Sequence, residues 1–324
     1  MRHFSLTELE ATAALVRTMV PETPQYAWPL LAARTGAQVW VKHENHTPIG
    51  AFKLRGGVVY MDWLMRSGPK VSGVITATRG NHGQSIALAG QRAGVPVTVL
   101  IPLGNGAEKN AAMAGFGAEL IIHGRDFDEA KERAVRVAEE RKLHYVPSFD
   151  PLLVKGVATC ALEFFRAVPD LHTVYVPIGM GSGICALIAV RDLLGLATEI
   201  VGVVAAAAPA VALSFEAGHL VPTNSASTFA DGMACRDPDP GALAIIAKGA
   251  ARIVRVDEDE IAEAIRLFYT ATHNVAEGAG AAPLAALLKE RERVRGQRVG
   301  LICSGGNIDT DTLRTVLEGR TPAA

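Results

Sequence analysis

Apolar runs of strand length alternate with helical patterns along almost the whole chain, and this alternation restricts the fold more than any other feature. Gln38 to Lys42, Gly73 to Ala77, Val97 to Ile101, Leu120 to Ile122, Val174 to Val176, Ile200 to Val204, Ile253 to Val256 and Val299 to Cys303 read as strands, with Tyr145-Val146-Pro147 a shorter one. Helical patterns fill the intervals: 5–20 stopped by Pro21 and Pro24, His82 to about Ala93 ended by Gly94, 107–115, 127–142, and one from Asp150-Pro151 to about Ala167. Two parallel strands cannot be joined by a tight turn, so such repetition implies βα units and parallel sheets with helices on both faces. The fold class is α/β. On the helix over 127–142, Glu129 with Arg133 and Glu132 with Arg136 are expected to pair at i,i+4 on a solvated face. The stretch 205–245 is less regular, with four alanines in a row and then Pro209, Pro222, Pro238 and Pro240. It is too apolar for a linker and reads as a helix plus a packed excursion.

With 324 residues, 49% of them hydrophobic, the chain can fill two domains or one large one. A net charge of −1 gives no electrostatic case for nucleic acid or an anionic membrane. No apolar run reaches the roughly 18 residues of a membrane span. Met1-Arg2-His3-Phe4 leads into Ser5-Leu6-Thr7-Glu8, a capping box and not a signal peptide. Cys160, Cys185, Cys235 and Cys303 are scattered, without metal or redox spacing. A reduced, cytoplasmic, enzyme-sized protein is expected.

Chemistry gathers at four turns that follow strands. In Glu44-Asn45-His46-Thr47-Pro48-Ile49-Gly50-Ala51-Phe52-Lys53, a helix opens around Ala51 with Lys53 in its first turn. Unpaired N–H groups and the positive dipole end disfavour a cation there, which eases deprotonation of the amine. A neutral amine can attack an aldehyde. Thr78-Arg79-Gly80-Asn81-His82-Gly83-Gln84 follows the strand ending at Ala77 and opens a helix, a ready carboxylate or phosphate site. Gly179-Met180-Gly181-Ser182-Gly183 lets backbone N–H groups converge on a phosphate, although its spacing is not the dinucleotide fingerprint. Ser304-Gly305-Gly306-Asn307 places a neutral hydroxyl at a strand's carboxyl end.

Together these stretches resemble the fold-type II pyridoxal 5′-phosphate enzymes, and within them the serine/threonine dehydratase group. The resemblance covers residues from about 20 to 310 in the family's order and includes Glu277 in Val275-Ala276-Glu277-Gly278-Ala279-Gly280-Ala281. It implies two open parallel-sheet α/β domains, tryptophan synthase β-like, with pyridoxal 5′-phosphate in the cleft between them. The small domain would span 51–150, the large one 1–50 plus 151–324. Lys53 would hold the cofactor as an internal aldimine and act as the base at Cα. Asn81 would bond its phenolic oxygen, Ser304 would face its pyridine nitrogen, and Gly179, Met180, Gly181, Ser182 and Gly183 would hold its phosphate, with Phe52 and Glu277 nearby. Thr78, Arg79, Gly80, Asn81 and His82 would form the substrate site. A hydroxyl opposite the ring nitrogen weakens the electron sink, which favours loss of a β-leaving group: water leaves a β-hydroxy amino acid, and a 2-oxo acid and ammonia follow.

Three departures qualify the resemblance. Serine racemases carry a serine at the position of Arg79, and arginine is a poor proton donor, so elimination without efficient racemisation is expected. Metal-activated relatives place carboxylates after the strand that here ends at Val204, where this chain reads Ala205 to Ala208; no metal is expected, and a chelator should leave activity intact. The phosphate turn is not an unbroken glycine tetrad. Threonine or serine is the default substrate, while Arg79 admits 3-hydroxyaspartate through a second carboxylate or 3-phenylserine through stacking. His43, His46 and Phe52 are further cleft-wall candidates. A homodimer is implied by the resemblance, and no appended regulatory domain is expected after Ser304. A same-fold β-replacement enzyme, a racemase, or a catalytically silent pyridoxal-phosphate-binding protein are the alternatives.

Overall fold

The computed structural model describes residues 4–323, so Met1 to His3 lie outside the described residues. Among the described residues ten strands form two sheets: β1 (Gln25–Ala27), β2 (Gln38–His43), β3 (Val74–Ala77), β4 (Val97–Ile101), β5 (Glu119–Ile122), β6 (His144–Tyr145), β7 (Thr173–Pro177), β8 (Glu199–Ala205), β9 (Arg252–Val256) and β10 (Arg298–Cys303). The larger sheet runs β1-β2-β10-β7-β8-β9 and the smaller β5-β4-β3-β6. Every pairing is parallel except β1 with β2, which is antiparallel. β1 has no sequence signal because Gln25, Tyr26 and Ala27 are a solvated edge without an apolar run.

Strand periodicity explains why both faces of the large sheet are covered. Val174, Val176, Ile200, Val204 and Ile302 enter one apolar core, while Tyr175, Val201, Val203, Val299 and Leu301 enter the opposite one. The small sheet divides the same way: Val74, Val97 and Val99 face one cluster, Ile75, Ala77 and Leu100 the other. The Ser5–Glu8 capping box is formed, and Asp150 caps the helix Pro151–Ala167. Residues 205–245 contain a helix, Ala210–Ala217, then an irregular path to a 3-10 turn at Asp231–Met233 and the helix Pro240–Gly249. Ala230, Met233 and Cys235 of that excursion are buried.

One expectation fails. Glu129 pairs with Arg125 and not Arg133, and Arg133 reaches Glu140 at 2.6 Å; no Glu132–Arg136 pair forms among the described residues. Glu129 sits in the first helical turn, its side chain leans toward the N-terminus, and there it also accepts from the Arg125 amide.

The helix Lys53–Ser67 lies between the helices Asn81–Ala93 and Pro151–Ala167. A Cβ on Gly57 would sit 2.3 Å from Ser85 Oγ, and one on Gly156 would sit 2.3 Å from the Arg55 carbonyl oxygen. The glycines after Lys53 are therefore needed for close helix approach. That approach fixes where the lysine projects.

Candidate active site

The four turns meet because their strands do. β2, β10 and β7 are adjacent in the large sheet, so the turns after them open side by side at their carboxyl ends. Phe52 N donates to Ser304 O at 2.9 Å, and Gly306 N donates to Gly50 O at 2.9 Å, tying the lysine segment to the Ser304 turn. The turn after β3 approaches from the small sheet. Asn307 Nδ2 donates to Asn81 Oδ1, and Asn81 Nδ2 donates to Glu277 Oε1, both at 2.7 Å. Between these segments lies a solvent-connected cavity of about 860 Å³. Phe52, Lys53, Thr78, Arg79, Gly80, Asn81, His82, Gly179, Met180, Gly181, Ser182, Gly183, Glu277 and Ser304 all line it.

Lys53 is the first residue of its helix. Its amine donates to Ser182 Oγ at 3.1 Å and lies 4.9 Å from the Phe52 ring centroid. Burial pulls its pKa from 10.5 down to about 8. The direction is the one expected from the helix start, and the cause is desolvation. His82 is buried, and its imidazole is pulled down to about 3 by burial and then by the charge of Lys53, so it stays neutral. Its Nε2 is buried in the cavity wall and has no hydrogen-bond partner among the described residues. Glu277 is pushed up to about 7 by burial, although Lys109 and the Asn81 hydrogen bond oppose the rise.

The glycine turn precedes the helix Ser182–Leu193 and leaves that helix's first N–H groups at the cavity. Gly179 has a further constraint: a Cβ there would lie 2.2 Å from the Gly232 carbonyl oxygen. Chain packing against the 3-10 turn, and not ligand access alone, demands glycine at that position. A group carrying an aldehyde and a phosphate fits this arrangement. It would find a deprotonatable amine, helix-start amides and a neutral hydroxyl in Ser304, with an unpartnered imidazole nitrogen beside them.

Several cavity residues escaped the sequence reading. Asp231 Oδ1 lies 2.8 Å from Arg79 Nε, and Asp231 Oδ2 accepts from Lys109 Nζ at 2.5 Å. Ser148, Phe127 and Cys235 also line the wall. A signal for Lys109 existed: like Lys53, it is a cation in a helix's first turn, after β4 and Pro102-Leu103-Gly104-Asn105-Gly106. The cleft-wall assignment of His43 and His46 is corrected. Neither lines the cavity; Trp28 Nε1 donates to His43 Nε2 at 3.0 Å, and His46 Nε2 bonds Asn274 at 2.7 Å.

Behind Lys53 lies a wholly buried ionic cluster. Arg55 bonds both Glu44 and Glu163, and Lys42 bonds Glu163 at 2.8 Å. Burial works against ionisation of Glu44, yet Arg55 beside it holds its carboxyl below the ordinary value. Two cations and two carboxylates balance there, linking the lysine helix, β2 and the helix Pro151–Ala167.

A family model described as Pyridoxal-phosphate dependent enzyme matches residues 16–305. A Geobacter sulfurreducens protein named L-threonine ammonia-lyase is 38% identical over 292 residues, which is 90% of this chain and 72% of that one. The solved structure of the processed form of threonine deaminase isoform 2 from Solanum lycopersicum superposes with a TM-score of 0.87 at 31% identity, covering 97% of this chain and 94% of that one. A pyridoxal 5′-phosphate-dependent aspartate racemase gives a TM-score of 0.89 at 27% identity, with 97% and 98% covered.

Proposed function

The chain belongs to the pyridoxal-phosphate dependent enzyme family, and from that premise we propose that it is an ammonia-lyase that removes water from a β-hydroxy amino acid, threonine or serine first, giving a 2-oxo acid and ammonia. The observation that carries this reading is the half-buried Lys53 amine in the cavity, 3.1 Å from Ser182 at the start of the glycine turn's helix. The cofactor, when bound, supplies the electron sink for charge developing at the substrate Cα.

The chain's own groups do the rest. Lys53 Nζ, with its pKa near 8, can hold or release a proton at neutral pH, as a base at Cα must. Ser182 Oγ accepts a hydrogen bond from that amine at 3.1 Å and so orients it. Helix-start amides of the Thr78–His82 turn suit the substrate carboxylate. Asn307 and Glu277 hold Asn81 from both ends of its amide, fixing which way its remaining N–H points.

The finer substrate assignment turns on Arg79. Its contact with Asp231 disfavours 3-hydroxyaspartate, since the partner carboxylate is already supplied by the chain. Phe52 and Phe127 in the wall leave 3-phenylserine open. A guanidinium is a poor proton donor, which weighs against racemisation. The reading includes two domains, 51–150 and 1–50 with 151–324, to which the strand distribution between the two sheets conforms. It includes a homodimer in a reducing, cytoplasmic setting, consistent with four free, buried cysteines. Among the described residues, no helix is long and apolar enough to cross a membrane. Ammonia release from a panel of β-hydroxy amino acids, with wild type and Arg79→Ala, tests the assignment. No release from any of them would overturn it, and light scattering on the same preparation tests the dimer.

A further inference from the structure

Asp231 occupies an unusual place in the cavity. It sits on a 3-10 turn of the large-sheet half, while both cations it touches come from the small-sheet half: Arg79 from the turn after β3 and Lys109 from the helix Ala107–Gly115. Each carboxylate oxygen faces one cation, Oδ1 toward Arg79 at 2.8 Å and Oδ2 toward Lys109 at 2.5 Å. Arg79 adjoins Thr78 and Gly80 in the turn whose amides suit the substrate's carboxylate, so what neutralises Arg79 also sets the charge met by the substrate side chain. Lys109 is further surrounded: Asp309 lies 4.0 Å away, and the Glu277 carboxyl also faces it. A second substrate carboxylate would have to displace Asp231 or lie beside its like charge, and both penalise it.

We propose that Asp231 is a specificity-determining residue: by bridging Arg79 and Lys109 it reserves the cavity for amino acids with uncharged side chains and masks a latent binding site for a second carboxylate. This rests on the amino-acid lyase reading and narrows its substrate class. Neutralising Asp231 without changing its shape frees the Arg79 guanidinium, able to grip a carboxylate with two parallel hydrogen bonds, while Lys109 keeps Asp309 and Glu277 nearby. The specificity is written against the wrong ligand as well as for the right one.

The test is a binding titration of holoenzyme, read as perturbation of the bound cofactor's visible absorbance, with alanine and aspartate in L- and D-forms. Neither ligand has a hydroxyl to eliminate, so binding is read without turnover. Wild type is expected to bind aspartate at least about tenfold more weakly than alanine, and Asp231→Asn to shift that ratio toward aspartate by about tenfold or more. Adding Arg79→Leu to Asp231→Asn should abolish the gain. Aspartate binding wild type as tightly as alanine would overturn the proposal, and that arm needs no variant to fold. An unchanged ratio in Asp231→Asn overturns it equally, leaving the lyase reading intact. If no amino acid perturbs the absorbance of bound cofactor, the lyase reading fails and takes this inference with it.

Discussion

Lys53 Nζ and Ser182 Oγ lie 3.1 Å apart across 129 positions of sequence, so the lysine turn and the glycine turn are two walls of one site. Replacing each member separates their roles. Lys53→Ala should lose both the visible absorbance of bound cofactor and ammonia release. Ser182→Ala removes one hydrogen bond and should keep both signals, with cofactor affinity reduced about tenfold, the effect of a bond worth about 1–1.5 kcal/mol. Equilibrium dialysis and absorbance spectra distinguish the two variants.

The amine's pKa near 8 predicts how the apoprotein takes up cofactor. Only the neutral amine is a nucleophile, and its fraction rises about tenfold per pH unit below the pKa. The recombination rate of apoprotein with pyridoxal 5′-phosphate should therefore climb from pH 6 and level off just above 8. An ordinary exposed lysine would still be climbing at pH 9.5. Stopped-flow absorbance across that range checks it.

These two predictions use features legible in the sequence, and the reason is local. Strand-length apolar runs, the helix starts after them and the glycine turns are each written in contiguous residues, so the α/β alternation and the members of the cavity could be named together. The edge strand at Gln25–Ala27 could not, because a solvated edge needs no apolar pattern. Nor could the partners of Arg79: Asp231 lies 152 positions away, in an irregular segment where no period fixes which way a side chain points. Long-range charge pairing is set by how two sheets face each other, and that information is spread over the whole packing. His43 and His46 mislead for the converse reason, since closeness in sequence to Lys53 does not turn them toward the cavity.

The buried cluster behind Lys53 gives a stability prediction. Arg55 is fully buried and is the main counter-charge for Glu44 and Glu163. Arg55→Met removes one cation and leaves two carboxylates facing only Lys42. Breaking a buried pair from one side costs about 3–5 kcal/mol, because the partner stays buried and uncompensated. The expected loss is of that order, read as the denaturation midpoint in urea. Glu44→Gln combined with Arg55→Met should recover part of it, since the orphaned charge is then removed. A surface pair such as Arg133–Glu140 should give at most about 1 kcal/mol when broken.

Glu277 supplies a pH prediction whose sign can be worked out. Burial raises its folded pKa from 4.5 to about 7, so between those values the folded chain binds a proton that the unfolded chain has released. A raised folded pKa contributes stability that is complete below pH 4.5 and is lost as pH rises through 7. Wild type should therefore lose stability between about pH 5 and 8 on account of this group, by at most about 3 kcal/mol for a rise of that size. Glu277→Gln keeps the oxygen that accepts from Asn81 Nδ2 but cannot ionise, so it escapes the loss. The variant should match wild type near pH 5 and exceed it at pH 8. Lys53 also titrates near the upper limit, but it is present in both proteins and cancels in the difference. Thermal midpoints of the two proteins at both pH values settle the sign: a difference that stays constant from pH 5 to 8 would mean Glu277 is ionised throughout, held so by Lys109.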